Sequence, residues 1–315
     1  MRCIVVGGGL SGLASAVWMA EAGYEVTLLE RRGALGGRTI AIPQKEVNDV
    51  PDNGQHVFAS GYENLFRYLD SVGTRHHVEF PGHMTARMPG GKTRRTAFWG
   101  LDGLRAMVGD LPGVKGLDKL RTARAQARIF GEALKQPADL DQITAAQWFD
   151  RVGLPLSARR AMWDGIVIGL TGDKPDISSA KVPADLLVTG MRKGVKMRTP
   201  VSIGYPTVDL DTLFVRSAEA FFRLNNVSVR TRSPVKSIDI VEGVVKGVTL
   251  RDGEELEADA VICAVPVWQV KDLLEQMPEH EKIERAVKAL TPVPIVSVNL
   301  YLDRDIGMED WGEIL

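Results

Sequence analysis

The 315-residue chain is poor in several things that would otherwise organise a protein. It has two cysteines, Cys3 and Cys263, each inside an apolar, strand-like run, CIVV and AVICAV. Reduced, buried thiols are the expectation there. A disulfide joining two such strands is not expected, and two cysteines with scattered histidines give no metal-ligand spacing. No apolar run approaches the ~18 residues of a spanning helix. The formal net charge of −1 gives no global reason to expect a nucleic-acid partner. No serine stands in a nucleophile-elbow context, which leaves hydrolase chemistry without support. Internal repeats and low-complexity tracts are absent as well. What remains is an ordinary globular composition, 44% apolar and 25% charged, long enough for two cores.

The informative part comes first. Residues 2–6 (RCIVV) predict a short buried parallel strand closed by glycine. Residues 10–22 have helical spacing, with Leu10, Leu13, Val17 and Ala20 on one face and Gly23 as the stop. Val26 to Leu29 predict a second strand ending at Glu30. Strand, helix and strand in about 30 residues mark a βαβ unit. The run GGGLSGLASAVWMA is not expected to be a signal peptide, because only Arg2 precedes it as a charge and its glycines have a different periodicity. A cytoplasmic protein, at most attached to a membrane surface, is the expectation.

That periodicity is G-x-G-x-x-G at Gly7, Gly9 and Gly12, with Glu30 eighteen residues further on. The context of strand, glycine loop and helix is the one a dinucleotide needs. Gly7 permits a tight turn, Gly9 lets the backbone approach a pyrophosphate, and Gly12 lets helix and strand pack closely. Amides of the first helical turn, at Ser11 and Leu13, face the phosphates with the helix dipole behind them. Glu30 can accept hydrogen bonds from ribose hydroxyls.

The residues after Glu30 are Arg31, Arg32, Gly33, Ala34, Leu35, Gly36, Gly37 and Arg38. This run resembles the R-x-G-x-x-G-G-R stretch of the double-glycine FAD-dependent oxidoreductases, which include amine oxidases, protoporphyrinogen oxidases and carotenoid desaturases. The resemblance implies FAD as cofactor. It also implies a glutathione-reductase-type Rossmann-like α/β fold: a parallel sheet with a β-meander, plus an interleaved α+β substrate domain. Arg31, Arg32, Gly36, Gly37 and Arg38 would lie along the cofactor. Further on, Asp52-Asn53-Gly54-Gln55-His56 resembles the D-N-G-Q-H run of squalene-associated FAD-dependent enzymes, the hydroxysqualene dehydroxylases. By that resemblance Gly54, Gln55 and His56 line the flavin, and His56 and Asp52 are the candidate acids. Val235, in RSPVKSI, matches the valine whose backbone meets the adenine. ADAVICAVP (258–266) matches the strand and turn that close the FAD domain. TPVPIVSVNLYLDR (291–304) resembles a substrate-domain strand. The family continues beyond that strand into a Gly-rich turn and helix that cover the flavin, so the resemblance makes this chain one that lacks its C-terminal part.

Between these motifs, 62–72 predicts an amphipathic helix, and 118–134, 141–152 and 157–170 predict helices. The runs from 227 to 265 predict strands with hairpin turns at Glu242-Gly243 and Asp252-Gly253. A helix over 268–277 and on to 289, and a strand over 294–303, complete the pattern. The alternation divides the chain into an FAD-binding domain of 1–80 and 226–268 and a substrate domain of 81–225 and 269–315. Residues 92–135 interleave many lysines and arginines with Phe98, Trp99, Leu101, Leu104, Met107, Val108, Leu111 and Leu117. Such a segment can lie in the headgroup plane of an anionic membrane, which is where an isoprenoid lipid would be met. Trp148, Trp163 and Trp268 are expected in the core or a tunnel lining, and His76-His77 in an exposed loop. Hydroxysqualene dehydroxylation ranks first, phytoene or carotenoid desaturation second and an amine-oxidase-like activity third; a non-catalytic FAD-binding protein is the alternative outside enzymes.

Overall fold

A computed structural model describes residues 1–42, 44, 51–54, 56–81, 84–87, 93–96, 111, 113–197, 202–275, 277 and 280–304. The chain divides into two compact units, one of 1–57, 62–79 and 205–292 and one of 58–61, 80–204 and 293–315.

The first unit is built on the N-terminal βαβ. Strand β1 (Arg2–Val6) leads through the glycine loop into helix α1 (Leu10–Glu21) and returns as β2 (Glu25–Leu29). β1 lies between β2 and a late strand, and all pairings are parallel. Arg2–Val6 align with Glu25–Leu29 on one side, and Cys3–Val6 with Ala260–Cys263 on the other. Being central and covered on both faces, β1 is apolar throughout its last four positions, as a parallel strand must be. β3 (Ser228–Arg230) extends the sheet beyond β2. β4 (Val235–Val241), β5 (Val244–Leu250) and β6 (Glu255–Glu257) form an antiparallel meander, and β7 (Ala260–Cys263) is the late strand beside β1. The turn between β4 and β5 falls at Glu242-Gly243, both at positive φ, and Gly253 at φ 93° turns the chain between β5 and β6. These are the places where the sequence puts them. Ile4, Val6 and Leu29 close a core with Ile238, Val248, Leu250 and Ala258 of the meander side.

The unit boundaries differ from the expected domains: 58–61 and 80 group with the second unit. Residues 205–225 and 269–292 group with the nucleotide-type sheet rather than with the helical part. Their side chains explain it. Leu210, Leu213, Phe214, Ala218 and Phe222 are buried, and the hydroxyl of α2 (Glu63–Ser71) Tyr68 donates to the Phe214 carbonyl at 2.6 Å. Burial drives the Tyr68 phenol well above its ordinary value. Leu273 belongs to the sheet-side core.

The second unit is helical among its described residues, apart from short pairings. Helices Leu117–Lys135, Ala145–Val152, Asp164–Thr171 and Lys181–Met197 surround Trp148, Phe149 and Trp163. The rings of Trp148 and Phe149 lie 5.8 Å apart, and those of Phe149 and Trp163 5.4 Å. Trp148 Nε1 donates to Glu132 at 2.9 Å, so its polar edge is satisfied. Thr144 and Gln147 form a capping box that starts helix Ala145–Val152 later than the expected residue 141. A π-helical turn, Arg159–Trp163, interrupts the expected helix over 157–170.

Three further expectations change. The expected helix over 268–289 is two helices, Val267–Leu273 and His280–Lys288. Residues 294–303 make no strand pairing among the described residues, and Ile295, Val296 and Leu300 are about four-fifths exposed. Trp268 is 45% exposed, not core. Among the described residues no helix is long and apolar enough to cross a membrane.

Candidate functional site

The site grows from the end of β1. Gly7 donates to Leu29 O at 2.8 Å, which turns the chain sharply off the strand. A Cβ on Gly12 would stand 1.8 Å from the Gly7 carbonyl oxygen, so only glycine lets α1 start so close to the loop. Gly9 is the N-cap of α1, and no side chain caps the helix. The first-turn amides, Ser11 among them, therefore form an uncapped, positively polarised end. Above Gly9 a Cβ would meet nothing nearer than Gly37 Cα at 3.9 Å. An open floor of amides without side chains is what a diphosphate fits.

Leu13 departs from this. Its side chain is fully buried and its N–H donates to Gly9 O at 2.9 Å, so it belongs to the helix and the core rather than to a cofactor surface.

The second glycine loop is fastened to the first. Gly36 N–H donates to Gly8 O at 2.8 Å. Gly36 and Gly37 are both at positive φ, 101° and 60°, and a Cβ on Gly37 would stand 2.9 Å from Gly9 Cα. The two loops thus touch backbone to backbone. Glu30 is buried at the end of β2, and its carboxylate accepts from Gly8 N and from Arg32 N, each at 2.7 Å. A carboxylate has lone pairs beyond these two bonds, so Glu30 can still accept from a ribose. Arg31, Arg32 and Arg38 are exposed, with no carboxylate partner among the described residues. Val235 begins β4, pairs in register with Leu250 and is half-buried. Gly8 is constrained too, although it falls at a free position of the G-x-G-x-x-G spacing. A Cβ there would lie 2.6 Å from Leu35 Cδ2 and 3.1 Å from Glu30. The unbroken GGG run is the signal that could have found it.

The D-N-G-Q-H loop is held differently from the expectation. Ala41 and Asp52 form an isolated antiparallel bridge, with Asn53 N donating to Ile40 O at 3.0 Å. The Asp52 carboxylate accepts from Leu210 N at 2.9 Å, across 158 residues of sequence. It thereby ties the loop to the start of the helical segment Asp211–Leu224, where Asp209 accepts from Thr212 N and Oγ1 at 2.8 and 2.7 Å. No sequence signal joins positions so far apart. His56 is half-buried and its Nδ1 lies 2.7 Å from Gly54 O. A carbonyl only accepts, so Nδ1 is the nitrogen that donates. Gln55 lies outside the described residues.

The two carboxylates titrate in opposite senses. Burial raises Asp52, with Asp209 adding to it, against the lowering effects of the Leu210 N–H and His56. For Asp209, burial is outweighed by the Thr212 hydroxyl and amide and by Arg216, and the pKa falls.

The comparisons with known proteins bear on this site. A family model described as flavin containing amine oxidoreductase matches residues 10–313. The chain belongs to this flavin-containing amine oxidoreductase family. Among related proteins, the zeta-carotene desaturase of Synechocystis is 28% identical over 96% of this chain, and the 15-cis-phytoene desaturase of Arabidopsis thaliana 26% identical over 97%. The chain spans 65% and 55% of their lengths. Among solved structures, an oxidoreductase from Methanosarcina mazei superposes with a TM-score of 0.69 at 18% identity, covering 93% of this chain and 66% of that one. Putrescine oxidase bound to putrescine superposes at 0.62 and 21%, covering 86% and 59%. At those identities the structures establish the fold. Family and fold agree with FAD as the dinucleotide, and the open amide floor and exposed arginines fit it.

Asp52 supplies an acceptor to Leu210, so the Asp52→Ala variant should lose about 1 kcal/mol of stability in urea unfolding, the worth of one hydrogen bond. Asp52→Asn keeps the oxygen and should stay near the parent. A general acid would behave otherwise: Asn would lower turnover by ~100-fold or more with flavin still bound. The pH dependence also separates the pair. Relative to the ordinary value of 3.8, the depressed Asp209 loses its contribution as pH falls through its lower folded value. Asp52, being raised, loses its contribution as pH rises above 3.8 through its higher folded value. Asp209→Asn should therefore flatten stability below pH 3.8, and Asp52→Asn above it.

Proposed function

We propose that the protein is an FAD-dependent oxidoreductase of the carotenoid-desaturase type, acting on an isoprenoid lipid. The observation that carries this reading is identity to zeta-carotene and phytoene desaturases along nearly the whole chain. FAD supplies a hydride acceptor at its isoalloxazine ring, and the protein supplies binding, orientation and exclusion of water. In this reading the amides around Gly7, Gly9, Ser11 and Gly12 take the pyrophosphate, and Glu30 takes the ribose. Gly36, Gly37 and Arg38 line the cofactor from the second loop, with Arg31 and Arg32 adding positive charge. The backbone of Val235 meets the adenine, and Gly54, Gln55 and His56 flank the flavin. His56 turns Nδ1 to the Gly54 carbonyl and keeps Nε2 for other partners; in this reading Asp52 holds the loop rather than donating a proton.

Reductive dehydroxylation of hydroxysqualene is the second reading, and the D-N-G-Q-H run at 52–56 favours it. The two run hydride in opposite directions, so one experiment separates them. Oxidised flavoprotein mixed anaerobically with phytoene or zeta-carotene should lose its visible flavin absorption as the flavin is reduced, with a more unsaturated product formed. Reoxidation of reduced flavoprotein by hydroxysqualene, without bleaching by either carotene, would overturn the desaturase reading in favour of the second.

We also propose that part of 92–135 meets a lipid surface, and that this surface is the anionic cytoplasmic face of a membrane. In its described portion Leu117 and Leu120 are 73% and 62% exposed, beside exposed Lys115, Lys119, Arg121 and Arg124. The protein should sediment with vesicles containing anionic lipid and not with neutral ones. Leu117→Ser with Leu120→Ser should weaken that binding several-fold, at ~0.8 kcal/mol per buried CH₂. Equal recovery in the supernatant with both vesicle types would contradict it.

A further inference from the structure

Four described non-glycine residues lie in the left-handed region of backbone space: Gln136, Asn226, Arg232 and Glu242. Three have local reasons. Gln136 ends helix Leu117–Lys135, Asn226 follows the C-cap of helix Ser217–Leu224, and Glu242 opens the β4–β5 hairpin with Gly243. Arg232, at φ 55°, neither ends a helix nor builds a hairpin. It stands in the connection from β3 to β4, and a side chain as large as arginine adopts this conformation at a cost. Such an outlier needs a reason outside the local fold.

Its surroundings give one. The connection is laced to the loop that begins at Glu30: Glu30 N donates to Arg230 O at 2.9 Å, Ser233 N to Glu30 O at 2.9 Å, and Arg232 N to Arg32 O at 2.8 Å. The Arg232 guanidinium lies against Gly33, its Nε and Nη2 3.3 and 3.4 Å from where a Cβ on Gly33 would stand. Gly33 thus leaves the room that the guanidinium occupies. Arg230, two residues earlier, is spent on a two-pronged pair with Glu254 at 2.8 and 2.6 Å. Arg232 has no carboxylate partner among the described residues, and it is exposed. The strained backbone therefore carries a free, planar cation onto the loop whose first residue is the ribose-type carboxylate. Val235, the adenine-type backbone position, follows three residues later.

We propose that Arg232 is a cofactor-binding residue, its guanidinium plane stacking on the adenine of FAD, with Gly33 leaving the space it needs. A guanidinium is always charged and stacks on aromatic faces, which suits a flat base at a solvent-facing edge.

The test uses ADP, which carries the adenosine end without the flavin, titrated calorimetrically into the flavin-free protein. Arg232→Gly accepts φ 55° without strain and removes the whole side chain, guanidinium included. Its melting temperature should equal or exceed the parent's, while its dissociation constant for ADP should rise about tenfold. Arg232→Lys should fall between, and Gly33→Ala should weaken ADP by crowding the guanidinium. Parent-like ADP binding by Arg232→Gly would overturn the proposal. So would a drop of several degrees in its melting temperature, which would mark Arg232 as structural. A parent protein that does not bind ADP at all would overturn the proposal and the dinucleotide site together.

Discussion

The contact on which this structure depends is between two stretches of backbone that carry no side chains. Gly12 sits over the Gly7 carbonyl at a distance no Cβ could share, and a Cβ on Gly37 would also stand too near Gly9 Cα, at 2.9 Å. Gly36 N–H closes the arrangement on Gly8 O. Each glycine gives up conformational entropy that any other residue would have spared. What the fold gains is a surface of N–H groups at the mouth of an uncapped helix, close to a buried carboxylate and free of obstruction. The same constraint places Glu30: its carboxylate is drawn in by Gly8 and Arg32 amides, and a side chain at Gly8 would displace it.

Around this contact the rest of the first unit acts as a clamp. The parallel register of β1 with β2 and β7 sets where the glycine loop leaves the sheet. The segment starting at Leu210 braces two loops: a Cβ on Gly36 of the second glycine loop would meet Val215 at 3.0 Å, and Asp52 of the D-N-G-Q-H loop accepts from Leu210 N. That segment is itself fastened by burial of Leu213, Phe214 and Phe222 and by the Tyr68–Phe214 hydrogen bond. Residues distant in sequence therefore determine the position of the loop that carries His56.

The βαβ unit is legible in the amino-acid sequence because its signals are local. A central parallel strand must be apolar, a tight turn and a close helix start demand glycine, and a 3.6-residue period marks α1. The meander is legible for the same reason, through Glu242-Gly243 and Gly253. The roles of Leu13 and Asp52 are not. Whether Leu13 faces a ligand or the core depends on which side of α1 packs inward, and the tie from Asp52 to Leu210 spans half of the chain. The expected boundaries miss 205–225 because burial of Phe214 and Phe222 against distant residues leaves no mark on sequence alternation. The run at 294–303 has the composition of a strand, but a strand also requires pairing, and among the described residues the run makes no ladder.

The central claim is that these interlocked glycine loops bind FAD. The direct measurement is a titration of FAD into the flavin-free protein, followed by quenching of flavin fluorescence and by calorimetry, for the parent and for Gly37→Ala. The account predicts saturation at one FAD per chain for the parent, competition by ADP, and loss of binding in Gly37→Ala as the second loop is pushed off the first. Absence of saturable binding by the parent, or FAD binding by Gly37→Ala as tight as the parent's, would contradict it.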